Sequence, residues 1–246
     1  MTIRTGIGGW TYEPWRGLFY PDGLRQKDEL AYAASRLGAI EVNATFYRLQ
    51  KPETFARWRA AAPDGFVFAL KGSRYVVTRR KLADAGEAVR RFVDQGIAEL
   101  GDRLGPVLWQ MPRTRAFDAD DIAAFLDLLP REAAGLPLRH AIEVQHDSFD
   151  CDAFANIARD AGVAIAYIDA EDVPTIDRQT ADFSYARLKR AQSRLKRGYP
   201  PAEIERLASR AEAWGKGGRD VFMFCINGAK ERAPAAAMAL ARKMSG

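Results

Sequence analysis

The chain has 246 residues, 48% of them hydrophobic and 28% charged, with a formal net charge of +5. That composition suits a folded domain and excludes a disordered chain, and so small a surplus of charge does not by itself imply nucleic acid. With only two cysteines there is no disulfide scaffold, and only two histidines count against a histidine-rich zinc cluster.

Short apolar runs alternate with amphipathic stretches. The first strand is predicted at 3–8. A helix over 27–37 aligns Leu30, Ala33, Ala34 and Leu37, and strand 39–43 follows. Helix 53–62 aligns Phe55, Trp58 and Ala62 before strand 66–71. One long helix, 84–104, collects Val89, Phe92, Val93, Ile97, Leu100 and Leu104, ahead of strand 106–110. Asp118 reads as the N-cap of a helix through Ile122, Phe125, Leu126 and Leu129, stopped by Pro130. Strand 139–144 precedes a helix capped by Asp150, carrying Phe154, Ile157 and Ala161 and closed by Gly162. After strand 163–169, segment 170–182 is short and holds Pro174, so an irregular connection is expected there. Strand 183–188 leads to a helix opened by Pro200-Pro201 and closed by Gly215, then strand 220–227 and a helix over 234–244.

Eight strands alternating with helices mean an α/β fold, either a barrel or a doubly wound sheet. The strand ends favour the barrel. They close on Glu41 and Asn43, Lys71, Gln110, Glu143, Asp169, Arg187 and Asn227, and polar side chains at the C-terminal mouth are where (β/α)8 barrels keep their sites. Counting back by two turns Ala39, Ala69, Leu108, Ala141, Tyr167, Tyr185 and Cys225 into the barrel. Ile40, Val42, Phe68, Leu70, Val107, Ile142, Phe222 and Phe224 then face the helices. With no linker, repeat or low-complexity block, a single (β/α)8 TIM-type domain over 1–246 is expected, close to the ~250 residues typical of that fold. The start, Met1-Thr2-Ile3-Arg4, lacks a signal-peptide core, and no run approaches the ~18 apolar residues that span a bilayer. A cytoplasmic protein with free thiols and no membrane partner is expected.

The candidate ring sets three carboxylates, Glu41, Glu143 and Asp169, against Lys71 and Arg187. As a site it is an acid/base centre with an anion clamp; the competing reading is a salt-bridged plug of the barrel mouth. His146, three residues after Glu143, reads either as a proton shuttle or as a loop residue that orients its neighbours. Lys71 binds an anion or carboxylate, or forms a Schiff base if desolvated. A divalent metal on Glu41, Glu143, Asp169 and His146 is a lesser reading, because Lys71 and Arg187 repel a cation; no cofactor is expected. The first loop holds Trp10, Tyr12, Trp15, Phe19 and Tyr20. Most of these read as a small core, while Trp10 and Tyr47 are kept for stacking on ligand. Segments 71–81 and 187–197 carry eleven cations and no acid, leaving the rest of the chain at −6. That polarity favours a phosphate-bearing ligand at this face.

These residues also resemble a known family. Gly8-Gly9-Trp10, Trp15, Phe19-Tyr20-Pro21, Glu41-Val42-Asn43 and Phe46-Tyr47 are similar to the YecE-like family, a domain of unknown function (number 72). Lys71, Gln110-Met111-Pro112, Glu143 with His146 and Ser148, Asp169, Tyr185-Ala186-Arg187 and Asn227 continue the match over about 3–244. The resemblance implies a TIM barrel whose mouth is lined by these residues, and it implies no reaction. The sequence departs from the family pattern at Gln145 and Phe149, where Arg and Trp are expected. It departs again at Lys189-Arg190 in place of His-Gly, and at Ile226 in place of Asn.

The combined expectation is a hydrolase-like acid/base enzyme acting on a phosphorylated or sugar-containing substrate. Glu41, Lys71, Glu143, His146 and Asp169 are its candidate catalytic residues, and Trp10, Asn43, Tyr47, Gln110, Tyr185, Arg187 and Asn227 its candidate binding residues. A nucleic-acid binder without turnover and an inactive interaction scaffold are the competing functions.

Overall fold

A computed structural model of the chain describes residues 1–244. Eight parallel strands form one sheet: β1 (Ile3–Gly8), β2 (Ala39–Val42), β3 (Val67–Lys71), β4 (Leu104–Gln110), β5 (His140–Glu143), β6 (Ala164–Ile165 and Tyr167–Asp169), β7 (Phe183–Leu188) and β8 (Asp220–Cys225). β1 lies between β2 and β8, and the sheet closes on itself through β6. The first half of β6 pairs with β5, Ile165 opposite Ile142. Its second half pairs with β7, Asp169 opposite Leu188. The break at Ala166, whose N–H still bonds the Ile142 carbonyl at 2.9 Å, lets one strand change partners and complete an α/β TIM barrel.

Around the barrel run α1 (Glu29–Ala34), α2 (Pro52–Ala61), α3 (Gly86–Val93), α4 (Ala119–Asp127), α5 (Asp152–Asp160), α6 (Pro201–Gly215) and α7 (Ala233–Met244). Segment 170–182 is irregular, as its Pro174 predicts. Asp118 caps α4, accepting the Asp121 N–H at 3.1 Å. The helix expected at 84–104 is shorter: α3 stops at Val93, and 3-10 turns occupy Ile97–Arg103. Gly96 sits between them at φ 106°, with α2's Pro52 so close that a Cβ would lie 2.8 Å from it. The apolar stripe through Val89, Phe92, Ile97 and Leu100 is nonetheless buried. The cap of α5 falls on Cys151 rather than Asp150. Gly215 is the last residue of α6, with Lys216 as C-cap, and the left-handed turn comes at Gly217.

Inside the barrel, Ala39, Val67, Ala69, Leu108, Ala141, Ala164 and Ala166 meet Phe183, Tyr185, Phe222, Phe224 and Ile226. Alanines on β2, β3, β5 and β6 leave room for the large rings of β7 and β8. Gly6 belongs to the same economy of space, since a Cβ there would come within 2.1 Å of the Ala39 carbonyl oxygen. The predicted inward positions hold on β2, β3, β4, β5 and β7. On β6 and β8 the predicted phase is off by one. Tyr167 and Cys225 belong to the outer core, Tyr167 against Trp214 of α6 at 5.0 Å, while Phe222 and Phe224 point inward. Asn227 lies beyond the end of β8 and therefore does not mark its phase. Asp169 shares the outward face of Tyr167.

Candidate functional site

Glu41, Lys71, Gln110, Glu143 and Arg187 continue the inward faces of β2, β3, β4, β5 and β7, so their side chains converge over the last layer of the barrel core. Arg187 bridges the two glutamates. Its Nε and Nη2 donate to Glu41 Oε2 and Oε1, each at 2.9 Å, and its Nη1 donates to Glu143 Oε2. Tyr185 Oη donates to Glu41 at 2.8 Å. Gln110 Nε2 and Lys189 Nζ both donate to Glu143 Oε1 at 2.8 Å. Glu41 and Glu143 have no exposed surface, so every approach to them from the mouth passes their partners.

Burial alone would raise the Glu143 pKa, but the charges of Arg187 and Lys189, with hydrogen bonds from Lys189 and Gln110, hold it at about 2. Glu143 therefore has no proton to give at neutral pH. Burial likewise works against the Arg187 charge and is outweighed by Glu143 and Glu41, so its pKa is raised. Lys71 differs from both. Its Nζ sits 4.3 Å from the centre of the Phe46 ring, and no carboxylate among the described residues lies within ion-pair distance. Burial and then the Arg187 charge lower its pKa, with Glu41 and Glu143 opposing and Lys189 adding to the drop.

The position of Lys71 is built from its neighbours. Thr45 Oγ1 donates to the Lys71 carbonyl at 2.8 Å, tying the end of β3 to the turn after β2. The next residue must be glycine: a Cβ on Gly72 would come within 2.3 Å of the Trp109 ring. Asn43, half-buried, lies beside Gly8, where a Cβ would be 3.3 Å from its amide nitrogen.

Asp169 belongs to a second cluster on the other face of the sheet. Its Oδ1 accepts from Arg190 Nε at 2.9 Å and lies 3.7 Å from Arg206 Nη2, and Tyr199 Oη reaches its Oδ2 at 3.3 Å. Glu203 pairs with both arginines. Burial, with Glu203 adding, raises the Asp169 pKa against Arg190, Arg206 and Tyr199. The expectation that Asp169 completes the ring is corrected, because the break at Ala166 turns this carboxylate outward. Asn227 is exposed and lines a cavity of about 800 Å³ with Lys189, Arg190, Tyr199 and Glu203, at the edge of this second cluster.

His146 makes its hydrogen bonds within its own turn: its Nδ1 lies 3.2 Å from Ser148 N, whose N–H it accepts as the cap of the turn Asp147–Phe149, and 2.8 Å from Ser148 Oγ. Trp10 packs edge-on against Trp58 at 5.4 Å, whereas Tyr47 is 60% exposed beside Phe46. Trp15 and Tyr20 are buried in the first-loop core. Among the described residues no three His, Cys, Asp or Glu side chains gather as metal ligands, and no helix is long and apolar enough to cross a membrane. Lys189 is a member of the ring that sequence reading placed in a basic loop. The available signal was the alternation of β7, continued one step past Arg187.

Comparison with known proteins agrees with this fold. A family model described as a protein of unknown function, DUF72, matches residues 4–246. The UPF0759 protein YecE of Escherichia coli K12 is 29% identical over 150 residues, 60% of this chain but only half the length of that relative. Solved DUF72 proteins from Thermotoga maritima (TM-score 0.82, 18% identity, all of both chains) and Enterococcus faecalis (0.78, 17%, all of this chain and 96% of that one) share the fold. A xylose isomerase-like TIM barrel/4-hydroxyphenylpyruvate dioxygenase fusion protein shares it more distantly (0.54, 16%, covering 96% of this chain and 41% of that one). With a family match along nearly its whole length, the chain belongs to the DUF72 family.

Proposed function

We propose that the C-terminal mouth is the active site of an enzyme acting on a small anionic substrate of the phosphorylated-sugar class, with Lys71 as the group that meets it. The observation that carries this reading is a charge imbalance. Glu41 and Glu143 are matched by Arg187 and Lys189, and Lys71 is left over without a carboxylate partner. A desolvated surplus cation at a barrel mouth attracts an anion strongly, because little water screens it. Lys71 then carries the proton in acid/base steps. Glu143, held ionised, positions Arg187 and Lys189 and does not act as the acid, and Gln110, Asn43 and Tyr47 flank the approach. Calorimetric titration with inorganic phosphate and with sugar phosphates tests this. Binding to the wild type that falls at least tenfold in Lys71→Met supports the site; equal binding by both proteins, or none by either, overturns it.

A second reading, a nucleic-acid surface, is favoured by one observation. Arg79, Arg80, Lys81, Arg194, Lys196 and Arg197 are all exposed, and among the described residues none has an ion-pair partner. Binding of single-stranded oligonucleotides then weakens with salt at a log–log slope of about −0.7 per phosphate contact. Replacing Arg194, Lys196 and Arg197 together flattens that slope by about two units. Weak binding whose slope the triple substitution leaves unchanged removes this reading.

A further inference from the structure

We propose that Lys71 is an imine-forming nucleophile, and that the substrate of the mouth is an anionic aldehyde or ketone. The inference rests on reading the mouth as a ligand site and goes further by naming the bond that forms.

Three features of the geometry point to it. Lys71 is only 8% exposed, at the end of a barrel strand, with its backbone fixed by Thr45 and Gly72. Its amine is held over Phe46 and carries no ion pair, so no carboxylate holds the ammonium proton in place against its departure. Two other cations, Arg187 and Lys189, are fixed in the same cluster by Glu41 and Glu143. Desolvation together with a neighbouring cation is the combination that turns a lysine into a nucleophile near neutral pH. The downward shift of the Lys71 pKa, from burial first and Arg187 second, agrees with it. A structural lysine at this depth is expected to hold one of the two glutamates, yet the ring gives both to other cations.

The step balances without a further reagent. The ammonium gives up a proton, the neutral nitrogen attacks the carbonyl carbon, and a C–N bond forms as the C=O π bond breaks. Loss of water from the carbinolamine, which takes up the released proton, leaves a protonated imine. One ammonium and one carbonyl become one iminium and one water, so the site keeps its single surplus positive charge. An anionic group elsewhere on the substrate is therefore neutralised before and after the bond is made.

The test is reductive trapping at pH 7 with sodium cyanoborohydride, using glyoxylate and dihydroxyacetone phosphate as probes, followed by peptide mass mapping. The expected result is a single adduct on Lys71, formed at least tenfold faster than on the exposed Lys27, Lys51 and Lys216. Inorganic phosphate should slow it. Lys71→Arg, which keeps a positive charge and removes the nucleophile, should lose the adduct while keeping the fold. Labelling of Lys71 no faster than of the exposed lysines overturns the imine. If phosphate binding still depends on Lys71 in that case, the ligand site stands without the imine; if that dependence is absent too, both readings fall.

Discussion

Two charge clusters sit at the same end of the barrel, a few residues apart where the chain leaves β7, and they are assembled differently. Arg187 and Lys189 point into the barrel toward Glu41 and Glu143, while Arg190 turns to the outer face and meets Asp169. The outer cluster is balanced, with Asp169 and Glu203 against Arg190 and Arg206, and its arginines are 39% and 38% exposed. The inner cluster is buried and unbalanced, two carboxylates against three cations. A balanced network at a rim is what folding alone tends to produce, since buried charges must pair. A buried surplus charge raises the cost of folding, so its presence at a barrel mouth points to a counterpart that arrives from outside.

The largest expected effect sharpens this contrast. Arg187→Met strips both buried glutamates of their shared partner and should cost about 3–5 kcal/mol, lowering the melting temperature by roughly 10 °C. Arg190→Met leaves Asp169 with Arg206 and Tyr199 and should cost only about 1–2 kcal/mol. Thermal melts of the two variants side by side measure the difference. Equal losses would mean that the inner and outer clusters serve stability alike.

The inner ring was legible in the sequence because β2, β3, β4, β5 and β7 alternate regularly over the last residues before their polar ends, past the register shift between Phe68 and Leu70 where β3 meets β4. Counting back by two from Glu41, Lys71, Gln110, Glu143 and Arg187 lands on Ala39, Ala69, Leu108, Ala141 and Tyr185, all of the barrel interior. Asp169 was misplaced for a physical reason. A closing strand that changes partners needs a break, and the small pair Ala164 and Ala166, matching the alanines of the other strands, was its only mark. Asn227 misled because it follows the strand rather than ending it. The pairing of Lys189 with Glu143 was hidden by a run of cations that reads as a solvated loop. That Lys71 would be the cation left over depends on which partner each guanidinium and amine selects, and composition does not carry that choice.

Acid should act on Glu143 and Asp169 with opposite sign. Glu143 is held near pKa 2 in the fold against an ordinary 4.5. Its contribution is complete above pH 4.5 and is lost as pH falls toward 2, at most about 3 kcal/mol. The Asp169 pKa is raised from 3.8. In the window just above 3.8 the folded state holds more protons than the unfolded one, so this group's contribution falls as pH rises. Urea unfolding between pH 3 and 6 should therefore show a flatter acid limb in Glu143→Gln than in wild type, and a steeper one in Asp169→Asn. Limbs that shift in the same direction would break the comparison.

The smallest expected change concerns Lys71. A buried ammonium without an ion pair is opposed by desolvation and by the neighbouring Arg187 and Lys189, and is only partly supported by Glu41, Glu143 and the Phe46 ring. A methionine at this position keeps the contact with Phe46, since thioethers pack well on aromatic rings, and removes the charge. In the absence of ligand, Lys71→Met should thus lie within about 1 kcal/mol of wild type, on the more stable side. Arg206→Met, which takes a cation from the balanced cluster, should lie on the less stable side by about the same amount. The sign also has a pH signature. The folded Lys71 pKa is below 10.5, so between the two values the unfolded state binds more protons and wild-type stability rises with pH. The advantage of Lys71→Met should therefore shrink as pH approaches 10.5, while the deficit of Arg206→Met, whose guanidinium stays charged throughout that range, should not. Chemical unfolding of the three proteins from pH 7 to 10.5 reads this directly. A Lys71→Met variant less stable than wild type at pH 7 would show that the lysine is a paired member of the plug, with no surplus charge for a ligand to meet.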